Sequence, residues 1–177
     1  MSLKELTTEK HVAAEAHPFT KLLVSGNMPK EVYADYLLNQ HMSYLALEEL
    51  ASKQGLFAGL EPIRRANAIR NDLQELGITP ELKIYPASIK YVDHLATLPS
   101  EELMAHIYVR HMGDMYGGQM IKKVIPGSGT MYNFENRSDL ATELRTRLTD
   151  DMAVEANVCF DLILELFTEL ANEHNIQ

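Results

Sequence analysis

The sequence predicts an all-α fold, and two observations carry that prediction. Apolar residues recur at helical spacing along almost the whole chain, which is the main sequence signal for amphipathic helices. No segment combines an alternating apolar pattern with the turn residues that would bound a β-hairpin. The length of 177 residues suits one domain over residues 1–177, because a chain of this size can bury a substantial core.

The first two helices have clear boundary signals. Ser2 and Glu5 form a capping box, which predicts a first helix that ends near His17 because Pro18 follows. Residues 30–53 predict one long helix, with a proline at its start and a glycine just past its end.

Two shorter helices are predicted next. The third follows Pro62, includes Ile63 and stops at Gly77. Residues 78–86 form a connector, and the fourth helix covers residues 87 to about 98, ending before a proline.

The remaining third of the chain is predicted to hold a long central helix and a helix-rich C-terminal run. Ser100 is expected to cap the central helix, which continues until Pro126. After a loop, Ser138 is expected to cap the C-terminal run, which reaches nearly to the last residue with a break at Asp150 and Asp151.

Composition excludes several classes of protein. The net charge of -9 argues against nucleic-acid binding, which requires a basic surface. A single cysteine, Cys159, lies in an apolar run and allows no internal disulfide, as is typical of a reducing compartment. The sequence shows no signal peptide and no apolar stretch long enough for a membrane span, so we expect a cytoplasmic protein.

Three glycines interrupt the predicted central helix, in the segment YVRHMGDMYGGQMIKK over residues 108–123. Together Gly113, Gly117 and Gly118 forgo about 3 kcal/mol of helix stability relative to alanine. They could serve close helix packing, or they could leave a bare, bendable backbone against a flat ligand. Asp114 favours the ligand, because a carboxylate among methionines is costly to bury unless water or another polar group satisfies it.

The same segment resembles the signature helix of heme oxygenases, the distal helix over heme, whose pattern is Tyr-x-Arg-x-x-Gly-Asp-x-x-Gly-Gly-Gln. Every fixed position of the pattern is present: Tyr108, Arg110, Gly113, Asp114, Gly117, Gly118 and Gln119. The resemblance runs from Lys4 to about Leu170. It implies a single-domain helical bundle with heme between the first, proximal helix and a glycine-kinked distal helix.

Outside that segment, the resemblance assigns an iron ligand and a further polar residue. The first helix is similar to the family's proximal helix, which implies that His11 ligates the iron of heme b and that Glu15 accepts its outer imidazole proton. Residues four apart on a helix face each other, so the pairing is physically sound. Tyr44 matches a position of the distal polar network.

Other histidines are weaker candidates for the iron ligand. His17, the nearest rival, precedes Pro18 at the predicted helix end, and His106 is interpreted as structural. A di-iron site would need two Glu-x-x-His pairs, and the sequence contains none.

The dianionic propionate edge of heme requires cations or hydrogen-bond donors. The matching positions are Lys4, Tyr108 and Arg145, with Arg110 and Gly118 as further heme contacts, although charges at such positions are usually just solvated. The sequence departs from the family pattern at two places. Ala141 replaces a common lysine, and Tyr116, just before the glycine pair, is expected to crowd the pocket or to enter a helix interface.

The implied activity is oxidative cleavage of heme, with O2, to biliverdin, carbon monoxide and ferrous iron. Asp114 would order the water that supplies protons, and Gly113 and Gly117 would pack over the heme face. No flavin or nicotinamide motif is present, so electrons must come from a partner, ferredoxin or a reductase. Its docking patch is predicted at Lys122, Lys123 and Arg110.

Two alternatives stay open at this stage. One is a heme carrier or sensor of the same fold that does not turn over. The other is a heme-free helical domain whose glycines serve packing only. The fate of biliverdin is equally open between phycobilin pigment synthesis, with a biliverdin-reducing enzyme downstream, and iron release.

Overall fold

The all-α prediction is confirmed. A computed structural model describes residues 1–78 and 81–177, and no strand occurs in this part of the chain. Its α-helices are α1 (Leu3–Ala16), α2 (Pro18–Leu23), α3 (Lys30–Lys53), α4 (Ala66–Leu76), α5 (Pro86–Leu95), α6 (Ser100–Ile107), α7 (Gly113–Tyr116), α8 (Gly118–Ile121), α9 (Arg137–Arg145) and α10 (Ala153–Glu173). A π-helical turn, Tyr108–Met112, joins α6 to α7, and 3-10 turns lie at Glu61–Ile63, Thr130–Tyr132 and Asp150–Met152. Of the predicted connector, residues 79 and 80 lie outside the described residues.

The helices pack around two apolar clusters, and the long helices α3 and α10 contribute to both. One cluster includes Leu47 of α3 and Cys159 of α10. The other includes Tyr33 of α3 and Leu170 of α10. Cys159 is fully buried, as its apolar setting in the sequence indicates. The two long helices therefore form the scaffold against which the shorter ones are held.

The predicted start and end of α1 are confirmed. The backbone N–H of Ser2 donates to Glu5 Oε2 at 2.7 Å and the Glu5 N–H donates to Ser2 Oγ at 3.3 Å, which completes the capping box. At the other end, His17 Nδ1 accepts the Phe19 N–H at 3.0 Å and so caps α2. The predicted break at Asp150 is also confirmed, and its Oδ1 accepts the Leu3 N–H at 2.8 Å. This contact ties the start of α1 to the turn before α10.

The start of the third helix was predicted too early. Ile63 lies in a separate 3-10 turn and α4 begins at Ala66, because the carboxylate of Glu48 accepts the N–H groups of Arg65 and Ala66, the latter at 3.0 Å. A side chain from α3 thus supplies the N-terminal cap of α4. Its predicted end is confirmed, since Gly77 adopts the left-handed conformation that favours glycine.

The predicted caps at Ser100 and Ser138 are wrong. Pro99 occupies the N-cap of α6, and the Ser100 hydroxyl donates to Gln54 at the end of α3. Asn136, in a left-handed conformation, precedes α9, which begins at Arg137. Local capping rules predicted both serines as caps. At Ser100 a contact with a distant helix engages the hydroxyl instead, and before Ser138 the asparagine adopts a left-handed backbone that few other residues tolerate.

Two helices end earlier than predicted. Helix α5 stops at Leu95 because the Thr97 hydroxyl donates to the His94 carbonyl at 2.7 Å and competes with continuation of the helix. The central helix is not one regular rod to Pro126. It passes through a π turn at residues 108–112, is interrupted at Gly117 and ends at Ile121. We call residues 108–121 the distal segment. Across the described ranges, no helix combines the length and the apolar character that crossing a membrane requires.

Candidate active site

One face of the distal segment is bare backbone. Gly113 and Gly117 are both exposed, and a Cβ built on Gly113 would meet nothing within 4 Å. At Gly117 a Cβ would approach only the Gly113 carbonyl oxygen, at 3.2 Å. Both residues have ordinary right-handed helical angles, so backbone strain does not require glycine at either position. The open space beside them is what a flat ligand packed on the backbone would need.

Gly118 has a different environment. It is buried, and a Cβ there would lie 2.2 Å from ring carbon Cδ1 of Tyr132. Close packing against this fully buried tyrosine therefore accounts for the third glycine. The structure gives Gly118 no open face comparable with that of Gly113, and its predicted contact with heme stays a prediction.

Asp114 and Tyr44 form the polar centre of the site. The Tyr44 hydroxyl donates to Asp114 Oδ2, which joins α3 to the distal segment. Burial raises the pKa of the Asp114 carboxyl to about 6, although the Tyr44 hydrogen bond and the nearby positive charge of Arg110 act in the opposite direction. A carboxyl group that titrates near neutrality can accept and release protons at physiological pH, as a proton donor in a reaction must.

The predicted surface role of Arg110 is wrong. Its side chain is buried, its Nη1 donates to Gln40 Oε1 at 3.0 Å, and its guanidinium lies 4.1 Å from the ring centroid of Tyr91. The guanidinium also lies 5.5 Å from the ring centroid of Tyr44. Arg110 therefore supports the polar centre from inside the protein and cannot belong to a surface patch for an electron donor.

Sequence reasoning missed the residues that hold this polar centre. His111 is fully buried, with its Nε2 3.1 Å from Glu48 Oε1, so Glu48 links the distal segment to the start of α4. Gln40 and Tyr91 are buried around Arg110. Gln40 could have been found, because it precedes Tyr44 by four residues and so shares its face of α3. Tyr91 has no comparable signal.

The other predicted part of the site lies on α1, which carries His11 and Glu15. The His11 side chain is 58% exposed, and its Nε2 lies 3.7 Å from Glu15 Oε1, beyond hydrogen-bond distance. Its ring packs edge-on against Phe160 of α10 at a centroid distance of 6.0 Å. Next to it, the apolar Val12 is 54% exposed. An exposed imidazole is available as a ligand for the iron of a porphyrin.

The predicted propionate contacts lie at or near the surface. Lys4 and Arg145 are exposed and Tyr108 is half-buried. Tyr116 is 46% exposed and contacts both ends of α9, so it lies at the edge of a helix interface. Arg145 Nη2 donates to its hydroxyl at 3.4 Å, and the Arg137 guanidinium lies 5.8 Å from its ring centroid.

Ala141 is fully buried in the core and offers no polar contact to a ligand. A groove of about 830 Å³ is lined by residues of α3, the turn at Glu61–Ile63 and the start of α4, together with Asn133 and Glu135. It includes none of the predicted site residues.

An exposed histidine on the first helix and a glycine-lined distal segment backed by a carboxylate fit the class of all-α proteins that hold a flat, metal-containing group. Comparison with known sequences narrows this class. The sequence model of the heme oxygenase family matches residues 1–144, so the chain belongs to the heme oxygenase family. Members of this family are heme-degrading oxidoreductases that bind heme with a histidine ligand to the iron. The predicted family and activity are thus confirmed.

Individual relatives agree with this membership. The chain is 27% identical to heme oxygenase of Rhodella violacea over 96% of its own length and 86% of the relative. It is 31% identical to heme oxygenase 2 of Mus musculus, over 95% of its own length and 64% of the relative. Among solved structures, heme oxygenase-1 of the cyanobacterium Synechocystis in complex with heme has a TM-score of 0.84 at 26% identity, covering 97% of this chain and 91% of that one. Heme oxygenase of Leptospira interrogans has a TM-score of 0.78 at 28% identity, covering 96% and 100%.

Proposed function

We propose that this chain cleaves heme to biliverdin, carbon monoxide and ferrous iron, and that Asp114 controls the proton supply. The observation that carries the proposal is the position of Asp114. Its carboxyl group is held by the Tyr44 hydroxyl and directly follows the open backbone of Gly113. Bound heme supplies the iron at which O2 is activated. The protein's own task is to orient the porphyrin, exclude bulk water and deliver protons on one side.

His11 is the proposed iron ligand and Glu15 its orienting partner. The exposed imidazole has room to rotate, and Glu15 lies close enough to accept a proton from one ring nitrogen after a small adjustment of the 3.7 Å separation. Such a carboxylate would keep the other nitrogen unprotonated and fix the ring, as second-shell groups do at other histidine ligands.

Gly113 and Gly117 are proposed to lie against the distal face, where absent side chains let the backbone approach the ring. Tyr44 orients Asp114 through its hydroxyl, and the guanidinium of Arg110 packs near the Tyr44 ring. A water held by Asp114 above the open backbone would receive protons from this buried network. Asp114 is thereby the catalytic residue, while Arg110 acts as a positioning residue.

Lys4, Tyr108 and Arg145 are proposed to bind the propionates. Arg145 already contacts the Tyr116 hydroxyl, so Tyr116 holds this cation near the distal segment before any ligand arrives. Arginine pairs with carboxylates in a planar, bidentate geometry, which makes Arg145 a stronger anchor than Lys4.

Electrons are proposed to come from ferredoxin or a reductase that docks near Lys122 and Lys123. Lys123 is exposed, whereas Lys122 donates to Asn133 Oδ1. A biliverdin-reducing enzyme would act downstream.

We also propose a cytoplasmic location, supported by the single buried cysteine and the acidic composition. We propose one domain over residues 1–177, supported by the two apolar clusters that share α3 and α10.

The iron ligand is tested by adding hemin to the protein and to His11→Ala. We expect the wild type to give the Soret spectrum of imidazole-ligated heme, and His11→Ala to lose it and regain it when free imidazole is added. His41→Ala, which removes a half-buried histidine from α3, serves as control and should behave as wild type. An unchanged spectrum in His11→Ala would assign the ligand to another residue.

The proton role is tested by supplying ferredoxin, its reductase and NADPH to hemin-loaded protein. We expect Asp114→Ala to keep its heme spectrum but to form biliverdin more slowly by on the order of 100-fold, the usual contribution of a positioned acid or base. Asp139→Ala, on the exposed surface of α9, is the matched control. Undiminished turnover in Asp114→Ala would remove the proton role, and a wild-type heme spectrum that persists under these conditions would indicate a heme carrier.

A further inference from the structure

A second cluster of metal-ligating side chains lies away from His11, where α5, α6 and α10 meet. His94 of α5, His106 of α6 and Glu155 of α10 each direct one ligand atom to the same point, and these atoms lie within 4.8 Å of one another. Glu155 Oε1 is 2.5 Å from His94 Nε2 and 2.8 Å from His106 Nε2. The three residues come from distant parts of the sequence, so only the fold brings them together.

The cluster has the donor set of a zinc site. Two imidazole nitrogens and one carboxylate oxygen form a common three-ligand set for Zn²⁺, with water as the fourth ligand. Ligand atoms around a tetrahedral zinc are about 3 to 3.5 Å apart, given bonds of about 2.0–2.1 Å, so the nitrogens need to retreat only slightly from Glu155. Imidazole and carboxylate together suit zinc better than the all-oxygen sites of calcium or magnesium.

The surroundings of the cluster also fit a metal site. His106 Nδ1 lies 2.8 Å from the Tyr91 hydroxyl, so this ring nitrogen is already engaged and Nε2 is turned toward Glu155. Such an outer contact orients a histidine ligand and fixes its tautomer. His106 is fully buried, whereas the His94 side chain is 30% exposed. The cluster is therefore closed to solvent at His106 and open to solvent at His94, where a cation and a water can enter.

The simpler interpretation is a hydrogen-bonded triad in which two imidazoles donate to one carboxylate. Within the described residues, however, both imidazoles converge on the same oxygen of Glu155, and its Oε2 makes no hydrogen bond. A divalent cation could take the place of the protons that lie between the two Nε2 atoms and Glu155 Oε1, without a large movement of the helices. Glu155 Oε2 would then be available as a further ligand. We propose that His94, His106 and Glu155 bind one zinc-like divalent cation, independently of heme.

The test is a titration with Zn²⁺ in competition with a chromophoric zinc indicator, on protein first freed of metal with a chelator. It is performed on hemin-free and hemin-loaded protein, because His11 and Glu15 form a second, weaker candidate pair that bound heme would occupy. We expect one zinc per chain in both forms. His94→Ala, at the partly exposed ligand, should weaken zinc binding by at least about tenfold, since even outer-shell changes cost that much.

His41→Ala is the control, because it removes a half-buried helical histidine outside the cluster and should leave the affinity unchanged. Circular dichroism establishes that each variant is folded. Equal zinc affinity in wild type and His94→Ala, or no uptake by the wild type, would overturn the proposal. Should His94→Ala fail to fold, crystals of the wild type soaked in ZnCl2 decide the matter. An anomalous peak between the three side chains supports the site, and its absence or a peak elsewhere refutes it.

Discussion

Gly113 and Gly118 belong to one sequence motif and lie five residues apart, yet the structure gives them opposite surroundings. A methyl group on Gly113 would point into empty space, whereas one on Gly118 would overlap the Tyr132 ring. The outer face of the distal segment is therefore open, whereas its inner face is filled by side chains of the protein. Glycines of a single motif can thus meet different structural conditions, open space at Gly113 and close packing at Gly118, and the sequence alone does not distinguish them.

The largest effect on stability is expected from Gly118→Ala. The new Cβ would lie 2.2 Å from a carbon of the Tyr132 ring, which is buried and cannot easily retreat. Overpacking of this kind should cost about 2–3 kcal/mol, or about 5–10 °C in melting temperature. Thermal unfolding of heme-free protein measures it. A melting temperature equal to that of the wild type would mean that the inner face is not closely packed.

A smaller effect is expected from the ion pair that protonated His106 forms with Glu155 in the metal-free protein. Burial by itself lowers the pKa of His106, but Cys159 and the Glu155 carboxylate raise it more strongly, and the outcome is a pKa of about 9. Because the folded-state pKa lies above the ordinary value of 6.5, this stabilisation is complete below about pH 6.5 and is lost as the pH rises through about 9.

We therefore expect the free energy of unfolding of the wild type to fall by about 2 kcal/mol between pH 6.5 and 9.5 on account of this group. Glu155→Gln should show a flatter profile. Chemical unfolding at a series of pH values, in the presence of a chelator, measures both proteins. Parallel pH profiles for the two would show that Glu155 does not hold the His106 charge.

The smallest effect is expected from Gly113→Ala, and its sign is opposite to that of Gly118→Ala. Gly113 has right-handed helical angles and open surroundings, so alanine should stabilise the heme-free protein by up to about 1 kcal/mol. At the heme position proposed above, the same methyl group would press against the ring and slow heme cleavage. Melting temperature and biliverdin formation are measured together. A destabilised Gly113→Ala would contradict the open outer face.

Local sequence rules predicted the elements whose ends are set by their own residues. The capping box of Ser2 and Glu5 and the limits of α3 at Lys30 and Lys53 agree with the structure, because these signals act within one turn of the helix. The rules failed where a distant side chain intervenes. Glu48 sets the start of α4, and nothing in the sequence near residue 66 indicates it.

The candidate site divides in the same way. Positions in the motif were identified by resemblance, but the direction of each side chain was not. Arg110 was expected at the surface and is buried against Gln40 and Tyr91, partners that are 70 and 19 residues away in the chain. The π turn that precedes Gly113 contains no glycine, so a pattern of glycines could not predict where the helix departs from regularity.

The inward direction of Arg110 has a consequence for how heme arrives. The buried guanidinium presents no exposed charge to an approaching ligand, and the net charge of -9, which includes Arg110, repels the dianionic propionate edge of heme at long range. Added salt shortens the range of that repulsion. Uptake of heme should therefore become faster as ionic strength increases, the reverse of what a basic carrier of acidic ligands would show.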